Sequence, residues 1–130
     1  MLAVVNTTAT TLTAGATIPT GNAKARTNSD AVVSDGNIEI QKAGTFEVLG
    51  NFTFTATAAG AVTVQMQAGG TDVPGASATI TATEGQTVPL TTQAVVQTRQ
   101  STPGAQVPIT WTISAAGTLV SATASVKRVI

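Results

Sequence analysis

The chain of 130 residues contains no histidine, no cysteine and no tyrosine, and only 9% of it is charged. Histidine and cysteine supply many of the catalytic bases, nucleophiles and metal ligands of proteins, so the usual acid–base, thiol and zinc chemistry is excluded. Disulfides cannot stabilise the fold either. These absences predict a protein that is not an enzyme, holds no cofactor or metal and acts through its shape.

Charge is balanced as well as scarce, with six Lys and Arg against six Asp and Glu. Nucleic-acid binding needs a basic stripe, which this composition does not offer. No apolar run approaches the roughly 20 residues of a transmembrane helix. The first ten residues lack the basic and apolar regions of a secretory signal. We therefore expect no nucleic acid and no membrane among the partners.

The hydrophobic fraction of 42% and the mean hydropathy of +0.28 are high for a small chain with so few charges. Only three Phe and one Trp are present. A core made mainly of Val, Ile, Leu and Ala buries little area per side chain, at roughly 25 cal/mol per Å². Self-association would bury more, at a small desolvation cost because few charges are involved. We therefore expect an oligomer.

Apolar and polar residues alternate along much of the chain, which is typical of strands with one buried face. The pattern is clearest from Thr45 to Ala56, from Val62 to Gln67, from Ile109 to Ser114 and from Val120 to Lys127. In the last of these segments the even positions, Val120 included, are predicted to share the buried face. The predicted core consists of Ile38, Ile40, Phe46, Val48, Phe52, Phe54, Val62, Val64, Met66, Ile109, Trp111 and Ile113.

Turn signals recur at short intervals, which predicts an all-β antiparallel sandwich. The turn signals are Asp35-Gly36, Ala43-Gly44, Gly60, Gly69-Gly70, Pro74-Gly75, Glu84-Gly85, Pro103-Gly104 and Ala116-Gly117. Asp35-Gly36 suits a type I′ hairpin, because such a turn requires positive φ. We expect one domain over residues 1–130. Residues 1–31 would hold one or two strands with a bend at Gly15 and then a polar loop from Asn22 to Ser29, and residues 32–130 the core sandwich.

Two glutamates bear on the topology. A tight hairpin that pairs Ile40 with Phe46 would also place Glu39 opposite Glu47, and like charges facing each other across strands are destabilising. The conflict disappears if the two strands enter opposite sheets of the sandwich. That crossover predicts a jelly roll.

The run Gly44-Thr45-Phe46-Glu47-Val48, with Phe52 and Phe54 beyond it, resembles the Gly-Xaa-aromatic strand of the trimeric TNF/C1q-like jelly rolls. The later turns and the closing strand to Ile130 are similar as well, although Phe stands where that family usually has Tyr. The resemblance implies a homotrimer in which the odd-numbered face of this strand meets neighbouring subunits. Leu49, Thr53 and, on a partner strand, Val95 are then the predicted interface residues.

Other chemistry is less well supported. Asp30, Asp35 and Asn37 offer oxygen ligands for Ca²⁺, but a hairpin turn explains Asp35 more simply. Glu39 and Glu47 on outward faces are expected to be solvated charges, and the serines Ser34, Ser77, Ser101 and Ser125 have no histidine to activate them. Trp111 alternates with Ile109 and Ile113, so it is expected in the core and not in a sugar-stacking platform.

The resemblance implies a role for the whole molecule. Short domains of this kind occur in virion fibre or decoration proteins and in collagen-like spore-surface proteins, and no Gly-Xaa-Yaa repeat is present here. The leading hypothesis is a non-enzymatic structural protein on the virion exterior of a bacteriophage, as a homotrimeric head decoration or head fibre that contacts other capsid proteins. The alternative is a C1q-like recognition module that binds a carbohydrate or protein on a bacterial or spore surface. Such a module should carry clustered aromatic or charged loop residues.

Overall fold

The computed structural model describes residues 2–26, 31–34, 37–98 and 107–129. These residues form strands and connections without any helix, and so no helix among them is long and apolar enough to cross a membrane. The strands are β1 (Leu2–Asn6), β2 (Thr10–Leu12), β3 (Asn22–Arg26), β4 (Ala31–Ser34), β5 (Asn37–Ile40), β6 (Gly44–Ala56), β7 (Gly60–Ala68), β8 (Thr71–Ala82), β9 (Thr87–Thr98), β10 (Val107–Ile113) and β11 (Gly117–Arg128).

Two antiparallel sheets build the sandwich. Sheet A has the order β3-β1-β11-β6-β9, with β2 also paired to β11, and sheet B has the order β4-β5-β10-β7-β8. The strands β5 and β6 lie in opposite sheets, as the Glu39 and Glu47 conflict predicted. Glu47 instead faces Lys127 and Val95 across its two ladders. The all-β jelly-roll prediction is confirmed.

One continuous hydrophobic core fills the space between the sheets. All twelve residues predicted for the core are buried, because the even-numbered residues of β6 and β7 and the odd-numbered residues of β10 point between the sheets. Trp111 is fully buried at 0% exposure. Its ring packs edge-on against Phe52, with the two centroids 5.5 Å apart. Burial of these side chains, at about 1.5–3 kcal/mol each, supplies most of the favourable energy of the fold.

The N-terminal residues are an integral part of this sandwich. Leu2, Val4, Leu12 and Ile18 belong to the same core as residues 32–130. β1 pairs with β11 in sheet A, whereas the N–H of Ile18 donates to the carbonyl of Trp111 in sheet B at 2.7 Å. The segment therefore ties the two sheets together, with a positive-φ bend at Gly15 where one was predicted.

Three local predictions need correction or qualification. The predicted polar loop from Asn22 to Ser29 is wrong over Asn22–Arg26, which form β3 against β1. Val120 was placed in the core but is 40% exposed, because a register shift between Leu119 and Ser121 turns Leu119 inward instead. The Pro74-Gly75 turn lies inside β8, where the pairing register with β7 shifts, and does not separate two strands.

The hairpin predicted at Asp35-Gly36 is confirmed by its strands, because β4 and β5 pair antiparallel with Ser34 opposite Asn37. Its turn type lies outside the described residues, as do Asp30 of the considered Ca²⁺ site, Ser101 and the Pro103-Gly104 turn. The Gly69-Gly70 turn is present, with φ of 62° and 83°.

Candidate functional site

The outer face of sheet A is the surface on which sequence analysis placed the subunit interface. The odd-numbered residues of β6 point to this face because the even-numbered ones fill the core. Leu49 and Thr53 are half-buried there, and Val95 on the neighbouring strand β9 is 63% exposed. Across the β6–β9 ladder, Leu49 pairs with Gln93, Thr53 with Pro89 and Glu47 with Val95. Paired residues point to the same side of the sheet, so the three predicted interface residues share its outer face.

A shallow depression of about 200 Å³ lies in this face, over the strands β1, β11 and β6. Its lining residues are Ala3, Val4, Val5, Leu49, Asn51, Thr123, Ala124 and Ser125. Thr123 and Ser125 of β11 are short, so the floor is low between the walls formed by Val5 on β1 and Leu49 on β6. None of the lining residues is charged. A partner surface can therefore be seated here without the cost of desolvating a charge.

Leu49 lines the depression, whereas Thr53 and Val95 lie outside it. Sequence analysis did not identify the contributions of Ala3 and Val5, because nothing in the sequence places β1 beside β11. The outward direction of Thr123 and Ser125 does follow from the alternation of β11. Two short side chains at successive outward positions were the sequence signal that could have indicated a depression there.

Hydrogen bonds between side chains also connect β6 to β9 on this face. The hydroxyl of Thr91 donates to Oδ1 of Asn51 at 3.0 Å. Thr55 and Thr87 share a hydrogen bond of 2.8 Å between their hydroxyls. Asn51, a polar lining residue of the depression, is thereby connected to β9.

A buried contact across the sandwich supports the face from below. Nε1 of Trp111 on β10 donates to Oγ1 of Thr92 on β9 at 2.8 Å, and both residues are buried. Gly50 of β6 leaves room for the indole, because a Cβ at this position would lie 2.9 Å from the Trp111 ring. The single tryptophan thus contacts both strands of the β6–β9 pair.

The residues considered for other chemistry are not brought together. Glu39 and Glu47 lie in opposite sheets, so they form no paired-carboxylate site. The expectation that Glu39 is a solvated charge is wrong for one of its oxygens, because Oε2 is buried without a hydrogen-bond partner among the described residues. Asn37, the described member of the considered Ca²⁺ set, is half-buried in β5. Over residues 2–26, 31–34, 37–98 and 107–129, no three or more Asp or Glu side chains gather at distances suited to a metal ion.

Comparison with solved structures identifies similar folds. The globular domain of zebrafish complement 1qA matches with a TM-score of 0.71 and 9% identity, over 99% of this chain and 96% of that one. The structure of Eiger TNF from S. frugiperda matches with a TM-score of 0.70 and 9% identity, over 99% and 92%. Murine APRIL matches with a TM-score of 0.62 and 13% identity, over 94% and 95%.

No protein family profile matches the sequence, and no curated protein matches it. At 9–13% identity the structural matches establish the fold alone, and that fold is a TNF/C1q-like jelly roll, as the Gly44–Val48 strand indicated.

Proposed function

We propose that this protein is a non-enzymatic structural module that assembles as a homotrimer through the outer face of sheet A. The observation that carries the proposal is the uncharged depression beside Leu49. Its short floor residues allow close approach of a neighbouring chain, and its apolar walls give that approach a hydrophobic driving force. The resemblance to the trimeric TNF/C1q-like domains supplies the number of subunits.

The loops at one end of the sandwich favour a structural role over ligand recognition. The turns at residues 13–16, 57–60, 83–86 and 114–116 meet at this end, where backbone hydrogen bonds connect several of them, such as Thr57 N–H to the Ala116 carbonyl at 3.2 Å. Apart from Glu84 they consist of uncharged, mostly small residues. All four aromatic side chains of the protein are buried, so none is available as a sugar-stacking platform.

The substitution Leu49→Asp tests the trimer. It would place three carboxylates in a desolvated contact and remove apolar burial worth roughly 1.5–3 kcal/mol per subunit. We expect multi-angle light scattering to show a trimer for the wild type and a monomer or aggregate for the variant. The matched control is Thr81→Asp, at an exposed position of β8 in sheet B, which should remain a trimer.

Two results would contradict this interface in different ways. A Leu49→Asp variant that stays trimeric with an unchanged melting temperature would remove Leu49 from the interface. A wild type that is monomeric at micromolar concentration would end the trimeric proposal itself.

The finer role is decoration of the exterior of a bacteriophage head, alone or as part of a head fibre, in contact with other capsid proteins. It is supported by the resemblance to virion decoration and fibre domains and by the small, mostly uncharged residues of the turns at 13–16, 57–60, 83–86 and 114–116. Immunogold labelling of purified virions with an antibody against this chain should decorate the particle surface. Unlabelled virions, with labelling of a spore or bacterial surface instead, would favour the recognition-module alternative.

A further inference from the structure

Two residues of opposite charge lie side by side on the outer face of sheet A. Lys127 of β11 and Glu47 of β6 are partners in the ladder between these strands. Both point outward, because their strand neighbours Val126, Phe46 and Val48 are buried. The other outward residues of β1, β11, β6 and β9 are uncharged. This pair, here called the charged row, is therefore the source of electrostatic specificity on these four strands.

The neighbouring basic residue, Arg128, does not belong to the charged row. Its guanidinium carbon lies over the buried Phe46 ring, 5.7 Å from the ring centroid. Lys127 is exposed and Glu47 is half-buried. Within the part of the chain that the structure describes, these two side chains form no ion pair with each other or with a third residue. Both charges are therefore available to an approaching molecule.

The charged row lies directly beside the depression on this face. Ser125 and Leu49, which line the depression, form the next outward pair of the same ladder, two residues along each strand. At about 3.3 Å per residue, the two pairs are about 7 Å apart. A subunit that covers Leu49 therefore also reaches the charged row, at the rim of the contact.

We propose that Lys127 of each subunit pairs with Glu47 of the next subunit, around a three-fold axis that runs along the strands. This inference rests on the proposed trimer and names the residues that set its register. Rotation about the axis keeps the charged row of every subunit at one height. In sheet A, β11 comes before β6 in the order β3-β1-β11-β6-β9, so the Glu47 side of one subunit meets the Lys127 side of the next. Positive and negative charges then alternate around the axis.

Charge complementarity selects a second copy of this chain as the occupant. A face that carries one positive and one negative residue side by side is complementary to itself under rotation, because each charge meets its opposite on the next copy. The contact is heterologous and closes into a ring, as a cyclic trimer requires. A partner whose charges all have one sign would instead meet one attractive and one repulsive residue.

The charged row also disfavours other arrangements of the subunits. If one subunit slides along its strands by one outward pair, each charge is placed against the uncharged pair Ser125 and Leu49. If one subunit is inverted end to end, the charged row meets the opposite end of the face, where Thr118 and Thr55 are partners. Both arrangements remove charges from water without giving them a partner, which is unfavourable.

Charge reversal at the two positions tests the pairing. Glu47→Lys makes the charged row wholly positive and Lys127→Glu makes it wholly negative, so each variant should lose the trimer at a concentration at which the wild type is trimeric. The double variant Glu47→Lys/Lys127→Glu restores one charge of each sign and should recover the trimer. Multi-angle light scattering measures the mass of each. The matched control is Glu84→Lys, which makes the same change in the exposed turn before β9, at the opposite end of that strand from the charged row, and should remain a trimer.

A mixture of the two single variants separates pairing between subunits from pairing within one. Glu47 and Lys127 are also neighbours inside the subunit, where like charges across a ladder are destabilising. Mixing changes neither chain, so it relieves only the repulsion between subunits. We expect native mass spectrometry of the mixture to show trimers that contain both chains in a 2:1 ratio. Less trimer should form than in the wild type, because a ring of three always leaves one like-charged junction.

The salt dependence of the wild type gives a second measurement that needs no charge reversal. Salt screens ion pairs at the rim of a contact, so raising NaCl from about 0.01 M to about 1 M should raise the concentration at which half of the trimer dissociates. The uncharged double variant Glu47→Gln/Lys127→Gln should lack this dependence. An equal salt dependence in both proteins would overturn the pairing.

The remaining outcomes distinguish this inference from the proposed trimer. Trimers that persist in both single charge-reversal variants would overturn the pairing and leave the trimer intact. Single variants that lose the trimer and do not recover it on mixing, although the double variant does, would confine the effect of the charges to the subunit and overturn the pairing as well. A monomeric wild type would contradict the trimer itself.

Discussion

At the scale of single residues, Trp111 and Thr92 form a polar contact that spans the interior of the sandwich. The indole N–H has its acceptor only because a threonine, and not a valine, occupies an inward position of β9. A buried donor that loses its acceptor costs more than an ordinary hydrogen bond contributes, since it is no longer solvated by water either.

The substitution Thr92→Val should therefore destabilise the protein by about 1–3 kcal/mol, although it preserves the shape of the side chain. Thr81→Val is the matched control, because it makes the same change at an exposed position of β8. Its effect should stay within about 0.5 kcal/mol. Urea unfolding followed by the fluorescence of the single tryptophan measures both, and equal stabilities would show that the indole N–H does not depend on Thr92.

Gly50 illustrates a different residue-scale requirement. The position belongs to the inward row of β6, where the alternation favours a large apolar side chain, but the Trp111 ring fills that space. Position 50 is therefore a glycine because the large Trp111 side chain of the opposite sheet leaves no room for a side chain there, and not because the backbone needs flexibility.

At the scale of elements, β8 shows how a side chain can replace ladder hydrogen bonds. The register of β7 against β8 shifts between Gln65 and Gln67, so residues 73–76 have no regular partners on β7. Nε2 of Gln65 donates to the carbonyl oxygens of Met66 at 2.9 Å and Val73 at 3.0 Å, and reaches that of Ala76 at 3.4 Å. One amide thus holds the irregular part of β8 against β7.

Gln65→Glu should destabilise the protein by about 1–3 kcal/mol, because it replaces the donating nitrogen with a carboxylate oxygen facing carbonyl oxygens. Gln86→Glu is an informative control. Oε1 of Gln86 accepts from the N–H of Thr83 at 2.9 Å, and a carboxylate retains that acceptor. Thermal melts should show a lowered midpoint for the first variant and little change for the second. The reverse order would mean that the Gln65 amide does not hold β8.

At the scale of the whole molecule, stability comes from apolar packing between the sheets and from backbone ladders, without disulfides and without any metal-binding cluster among the described residues. Thermal melts with and without EDTA should therefore coincide. A fall of several degrees in the midpoint would reveal a cation site built on residues outside the described ranges, such as Asp30 and Asp35.

Along the strands with clear alternation, the sequence by itself determined that the segment is a strand and which of its side chains face the core, whereas β3, which lacks that pattern, was missed. This information is local, because successive side chains of a strand point to opposite faces whatever the strand pairs with. The long strands β6, β7, β10 and β11 were therefore predictable. Alternation failed at Val120, where a bulge adds one residue and inverts the faces beyond it.

Only the tertiary structure decided which strands are neighbours, and with them the candidate interface. The depression depends on β1 lying beside β11 and β11 beside β6, although β1 and β11 are at opposite ends of the sequence. Pairing is a non-local choice set by how all the strands together bury the core, and no short stretch of sequence records it.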